Sequence, residues 1–318
     1  MEYPSYYPLV DTFRSGYIDN RFYGLIYLSD KCGNILKFKG EDNGAKFYLR
    51  SLFKPIQSSI LTDDKIYNHF KFDDKELAIM QGSHAGEPLH IELIKSILSK
   101  IGLNESCLLC PPIKPLNTDI YDRDEPFLSP VYNNCSGKHS MMLSCCVFND
   151  FDINTYIEFS HPLQIKIKEK LLAYANTNDY TETRDGCLAP VYGLKIQNII
   201  NAFLNYYNDK NNFDLINAYK SNPYIIGGAD NSGKRTDTKI MELNPNLISK
   251  VGAGGFIYVY NTISGEFLLL KMAQDNNKIR EIIVLEALFR LKWLNKRYYD
   301  EYIRTEDNEE TGKYVFNF

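Results

Sequence analysis

The two ends of the chain are patterned as β-hairpins and the middle as helices, and that division narrows what the chain can fold into. Near the start, residues 22–29 (FYGLIYLS) are rich in aromatic and β-branched side chains, DKCGN sets a turn around Gly33, and ILKFKG alternates apolar with polar residues. Near the end, residues 248–251 lead through Gly252-Ala253-Gly254-Gly255 into a second hairpin, with arms at 256–260 and 266–272 and a turn at Ser264-Gly265. Two strands alone are not stable in water, so the terminal strands are most simply joined in one antiparallel sheet. Helical spacing of apolar residues recurs at 56–80, 90–102, 141–147, 161–175, 196–207, 213–219 and 279–295.

The expected class is α/β in the α+β sense, an antiparallel sheet from the N- and C-terminal strands with a mostly helical middle. It forms one domain over 1–318, with a sheet part from 1–50 plus 246–318, a helical part from 51–245, and a cleft between them. Residues 107–130 read as a long ordered connection, and the tail after Thr305 as polar and frayed apart from a contact through YVF. A chain of 318 residues can build a core of this kind. Its net charge of −4 comes from interspersed acids and bases without a basic run, which argues against nucleic acid as a partner. No apolar run approaches the ~20 residues that span a bilayer, and MEYPSYYPL has no signal-peptide core, so no membrane partner and a cytoplasmic location are expected. Seven unsymmetrically spaced cysteines fit buried thiols in a reducing compartment, the unanswered CxxC of Cys107 and Cys110 included.

Polar clusters sit at the edges of the apolar segments: Ser51/Lys54, Ser83/His84, Cys135 to His139, Asp185 to Cys187, Arg235 to Asp237, and Lys250 to Gly252. A serine hydroxyl is a weak nucleophile unless a base takes its proton, and a lysine whose pKa is lowered by burial or a neighbouring cation can be that base. Ser51 and Lys54 are three residues apart, so one helical turn stacks them on one side. Pro55 restricts the placement, because proline is comfortable only in a first helical turn. A second hydroxyl at Ser83 and a second lysine at Lys250, on a strand edge facing Ser51 across the cleft, would complete a serine enzyme with lysine bases. Taken singly, each has a plainer reading: Lys250 as an edge charge, Ser83 as a turn former. Thiolates suit zinc, but Cys135 and Cys187 lie 52 residues apart, and spacing alone gives no reason to make them ligands.

Six motifs stand in one order: RSLFKPIQ (50–57), GSHAGE (82–87), NNCSGKH (133–139), DGC (185–187), GKRTDT (233–238) and KVGAGG (250–255). In this the chain resembles the asparaginase II family, the thermolabile rhizobial type of L-asparaginase. The resemblance implies a serine β-lactamase-like fold related to serine glutaminases, and hydrolysis of the side-chain amide of L-asparagine. It places the family's catalytic groups on Ser51, Lys54, Ser83 and Lys250, with Lys271 as a competing second lysine. Arg50, His84, His139, Asp185, Arg235 and Asp237 become candidates for holding the substrate's α-ammonium and α-carboxylate. A zinc ion held by Cys135, Lys138 and Cys187, tuning the site without activating water, and a homodimer are also implied. The chain departs from the family at Asp19 to Phe22, at Pro111 to Ile113, at Gly254 where an acidic residue is usual, and at Asn276. These departures bear on substrate preference and keep two alternatives in view, a glutaminase or other small-amide hydrolase and a catalytically silent amino-acid-binding protein.

Overall fold

The computed structural model describes residues 3–118, 120–121, 128–304 and 308–318. Residues 119 and 122–127 of the expected connection, and 305–307 at the start of the tail, fall outside the described residues. In chain order the strands are β1 (Tyr7–Arg14), β2 (Tyr17–Ser29), β3 (Ile35–Lys39), β4 (Phe47–Tyr48), β5 (Thr181–Arg184), β6 (Pro190–Leu194), β7 (Ala229–Asp230), β8 (Gly233–Lys234), β9 (Leu247–Gly252), β10 (Phe256–Asn261), β11 (Phe267–Met272), β12 (Tyr302–Arg304) and β13 (Glu310–Phe316). The helices are α1 (Lys54–Ser58), α2 (Ile66–His69), α3 (Asp74–Gln81), α4 (Pro88–Lys100), α5 (Ser136–Phe148), α6 (Pro162–Ala175), α7 (Ile196–Asn208), α8 (Phe213–Ser221), α9 (Pro223–Gly227), α10 (Thr236–Leu243) and α11 (Asn277–Arg290). Among the described residues no helix is long and apolar enough to cross a membrane.

The terminal strands do join into one antiparallel sheet, in the order β12-β13-β1-β2-β11-β10-β9, with β3 also on β2. Successive side chains of a strand point to opposite faces, and here the two faces fill two cores. Leu25, Tyr27, Ile248, Phe256, Tyr258, Phe267 and Leu269 face the helical part. Ile26, Leu28, Leu247, Val251, Ile257, Leu268 and Leu270 pack instead under α11. Lys250, opposite Tyr258 in the β9–β10 ladder, shares the first face. The sheet therefore ends, at β9, on a strand whose one lysine points into the helical part.

Several local expectations need correction. The segment 56–80 is not one helix: Asp64 and Lys65 take left-handed φ values of 50° and 53°, and a capping box at Asp73 and Glu76 restarts the chain as α3. The helix expected over 279–295 stops at Arg290, and Lys292 turns left-handed at φ 59°. The C-terminal tail is not frayed in its described part. β13 lies along β1 with Val10 opposite Phe316, satisfying backbone groups that β1 would otherwise leave open at a sheet edge. Sequence reading also passed over the small sheet β4-β6-β5, whose hairpin turn is the DGCLAP segment.

Candidate active site

Ser51 lies in a single 3₁₀ turn, Arg50–Phe53, and Lys54 opens α1 directly after it. Pro55 takes the second position of that helix, where its missing N–H has no helical partner to lose. The turn is entered through Arg50 at φ 48°, a left-handed conformation costing a side-chain-bearing residue about 1–3 kcal/mol. It is held from outside: the Leu49 amide bonds the Tyr192 carbonyl of β6 at 3.0 Å, and the Arg50 guanidinium is paired with Asp185 in the β5–β6 turn. The end of β9 closes on the same turn. A side chain at Gly252 would bring a Cβ within 3.0 Å of Leu52, so glycine lets the edge strand lie beside the serine. The Ser51 hydroxyl is half-buried and has no hydrogen-bond partner among the described residues.

Lys54 is 1 % exposed, and its Nζ donates to the Gly82 carbonyl at 2.7 Å, to Ser83 Oγ at 2.9 Å and to the Asn134 carbonyl at 2.7 Å. Burial lowers its pKa, and the nearby Lys138 ammonium lowers it further. Gly137 allows this gathering, since a Cβ there would sit 2.3 Å from the Ile79 carbonyl and push α5, with Asn134 before it, off α3. Ser83 is fixed on both sides: its amide bonds the Ile226 carbonyl at 2.8 Å, and its own carbonyl accepts from Arg235.

Lys250 is fully buried, with Nζ 3.4 Å from Asp237 Oδ2 and 2.9 Å from the Val251 carbonyl. Burial brings its pKa down to about 7; Lys54 and Arg235 push the same way, while Asp237 opposes them. The Asp237 carboxyl would be raised by burial, but Lys250 and Arg235 outweigh that and hold it below its ordinary value. Lys271, the competing lysine, donates instead to the Gly254 and Met272 carbonyls, both at 2.7 Å, over the Phe256 ring. Of the two, Lys250 is the one in the electrostatic field of Lys54.

Next to Lys54 the structure gathers Cys135 at the start of α5, Lys138 in its first turn and Cys187 from the β5–β6 turn. Lys138 Nζ is 3.0 Å from Cys187 Sγ. A hydrogen bond from Cys135 and the charge of Lys138 bring the Cys187 thiol down to about 5, and the same bond pushes Cys135 up. Burial alone would lower the Lys138 pKa, but the two sulfurs outweigh it and keep the amine charged. Among the described residues no three His, Cys, Asp or Glu side chains converge as a metal site. The donor set here is two soft sulfurs and one amine, buried together and already sharing protons. That chemistry fits a thiophilic dication which would displace those protons.

Some expected substrate contacts turn out to be internal. His84 is fully buried, with Nε2 2.9 Å from Ser136 Oγ and Nδ1 accepting from the Gly86 amide at 3.1 Å, so both ring nitrogens are engaged. His139 is fully buried against the Tyr156 hydroxyl at 2.7 Å, and burial drives its pKa to about 3. Asp237 is taken by Lys250. Arg50, with Asp185 behind it, does reach open space: it lines a cavity of about 400 Å³ together with Lys46, Arg184, Gly254, Phe256 and Lys271. Three of its four basic side chains are paired with carboxylates, Lys46 with Asp179, Arg50 with Asp185 and Arg184 with Glu158. What sequence reading missed are the Gly82 and Asn134 carbonyls around Lys54, because main-chain acceptors carry no side-chain signature.

By its family the chain is an amidohydrolase. The model of the L-asparaginase II family matches residues 10–315, and the chain belongs to that family. No curated protein matches it. Solved structures that it is similar to include a beta-lactamase from Mycobacterium bovis, at 13% identity and a TM-score of 0.42 over 84% of this chain and 94% of that one. A candidate beta-lactamase from Bacteroides dorei DSM 17855 gives 13% identity and a TM-score of 0.42 over 80% of this chain and 86% of that one.

Proposed function

We propose that the protein is an L-asparaginase that converts L-asparagine to L-aspartate and ammonia through an acyl-enzyme on Ser51. The observation that carries this is the buried Lys54, one residue past the serine turn, with Ser83 Oγ as one of its three partners. A neutral lysine has two N–H donors and one lone pair. Two carbonyls can take the donors only, so the lone pair of neutral Lys54 is left for a hydroxyl. In that state it accepts the Ser51 proton as Oγ attacks the amide carbon. The proton passes through Ser83 to the leaving nitrogen, and ammonia departs as the C–N bond breaks. Burial, helped by the Lys138 charge, favours neutral Lys54, and Lys250, with its pKa near 7, can resupply a proton. Water then adds to the ester, Lys54 takes its proton, and Ser51 is returned to its hydroxyl. Asp237 acts as a positioning residue for Lys250, while Arg50 and Arg235 attract the substrate's α-carboxylate.

The direct test is ammonia release from purified protein over a panel of small amides. Asparagine should give the highest kcat/KM. A preference for glutamine would make the chain a glutaminase, and binding of L-aspartate with no turnover of any amide would make it a silent binding protein.

We further propose zinc at Cys135, Cys187 and Lys138, where a dication would supply positive charge beside Asp185 and the serine turn. Protein purified without added metal should carry close to one zinc per chain by elemental analysis, and Cys135→Ser with Cys187→Ser should lose it. Zinc well below one per chain, unaltered by both substitutions, would count against the site. A homodimer in the cytoplasm completes the proposal, supported by the family resemblance and the reduced thiols; a monomer mass by light scattering would contradict the dimer.

A further inference from the structure

The cavity of about 400 Å³ beside Arg50 holds one charge that no described residue balances. Lys46, Arg50 and Arg184 each have a carboxylate partner, and among the described residues no carboxylate lines the cavity itself. Lys271 is the fourth basic group. Its Nζ donates to the Gly254 and Met272 carbonyls, both at 2.7 Å, and lies 5.3 Å from the centre of the Phe256 ring. An ammonium has three N–H donors, so one is left for the space in front of it. Asp275, close by in the chain, is held by Arg280 at 3.2 Å and by the Gly254 amide at 2.8 Å, and it forms no ion pair with Lys271. The cavity therefore has a single cation in excess, half-buried and short of a counter-charge.

The sheet sets where that charge stands relative to Ser51. Gly252 on β9, Phe256 on β10 and Lys271 on β11 lie directly opposite one another across the two ladders. Opposed residues share a face, here the one turned to the helical part, where Phe256 is packed. Gly252 lies against Leu52, the residue after Ser51. Two strand spacings, about 10 Å, thus separate Lys271 from the serine turn along the sheet. The rim between them is open at Gly254, where a Cβ would meet nothing within 4 Å. Asparagine held at Ser51 spans about half of that interval, and a substituent one residue longer, at about 3.5 Å more, comes within reach of the lysine side chain.

We infer that the site also takes asparagine whose α-nitrogen carries an acyl group ending in a second carboxylate, and that Lys271 is the specificity residue that binds this carboxylate. The inference rests on the asparaginase reading above and names a wider substrate class for the same site. Extension from the nitrogen leaves the α-carboxylate to Arg50 and Arg235. One carboxylate matches the one cation in excess, and partial burial makes such a pair stronger than it is in bulk water. The contact lies away from the reacting amide and is made equally in the ground and transition states, so it acts on KM and not on kcat.

N-succinyl-L-asparagine and N-butyryl-L-asparagine have acyl chains of the same length and differ in the terminal carboxylate, so the pair isolates the charge. Ammonia release by the full chain should show a KM for the succinyl compound about tenfold or more below that for the butyryl compound, at similar kcat. Lys271→Met should bring the two KM values together, and Lys271→Arg, which keeps the charge, should hold them apart. Gly254→Asp sets a competing carboxylate beside the ammonium, at a left-handed position that aspartate tolerates, and should also remove the difference. That variant keeps the test usable if Lys271→Met fails to fold. Equal KM values in the parent protein, or a preference kept by both Lys271→Met and Gly254→Asp, would overturn the inference. So would loss of free asparagine turnover in folded Lys271→Met, which would make Lys271 part of the proton relay. If the parent protein hydrolyses no amide, the asparaginase reading fails by itself; calorimetric titration with the same two compounds then decides this inference by the ratio of their Kd values.

Discussion

Replacing Ser51 by alanine should reduce ammonia release from asparagine by about 10⁴-fold or more while leaving the melting temperature close to that of the parent. The two halves of that expectation have separate physical grounds. The hydroxyl is the only group on the serine turn that can form the acyl bond. It also makes no hydrogen bond among the described residues and is only half-buried, so its removal leaves no orphaned partner and no cavity of consequence. The turn itself is held by the Leu49 amide, the Arg50–Asp185 pair and the packing of Leu52 and Phe53, none of which the substitution touches. Ser83→Ala should behave differently, because it removes an acceptor from Lys54 and disturbs a loop tied to Arg235.

Lys54→Met is the second large effect, with a loss of about 10²- to 10⁴-fold from the missing base and relay. Here stability and activity move in different ways. Methionine leaves the Gly82 and Asn134 carbonyls without their donor, at about 1–3 kcal/mol for each unsatisfied group. It also removes a buried charge, which offsets part of that cost. The pH dependence separates the terms. Lys54 and Lys250 both have folded pKa values below the unfolded value of 10.5, with Lys250 at about 7. The unfolded chain therefore binds more protons between those limits, and the parent gains stability as pH rises from about 7 towards 10.5. Lys54→Met should flatten that rise in part, leaving the share that belongs to Lys250. Parent activity should climb through neutral pH for the same reason, as the ammonium forms give way to amines. Thermal melts and kcat/KM profiles over this range check both; an unchanged slope and an unchanged rate would remove Lys54 from the mechanism.

Much of the frame was legible because it depends on periodicity. The hairpin of β10 and β11 and the helices α4, α6 and α7 follow from patterns a few residues long. The sequence placed Lys250 only on a strand edge facing the cleft; its place on the inner face with Ile248 comes from the register of β9 on β10. The misses depend on contacts distant in sequence. β13 is a strand because β1 offers it an open edge 300 residues away, as in Val10 opposite Phe316. β5 and β6 are too short for a period to show, and they form where β4 meets them. In the site, residue types announced Ser51, Lys54 and Lys250, but not their surroundings. His84 and His139 looked like substrate contacts by their chemistry, and burial made them parts of the interior. Pro55, awkward in sequence, marks where the 3₁₀ turn of Ser51 gives way to α1.

The central claim is the covalent intermediate, and rapid quenching with intact-mass and peptide analysis addresses it most directly. Wild-type protein mixed with L-asparagine and stopped in acid should carry an aspartyl ester, linked through the side-chain carbonyl, on the peptide that contains Ser51. The adduct should be absent from Ser51→Ala. Ammonia release without any adduct at the earliest times, or an adduct that maps to Ser83, would contradict the account.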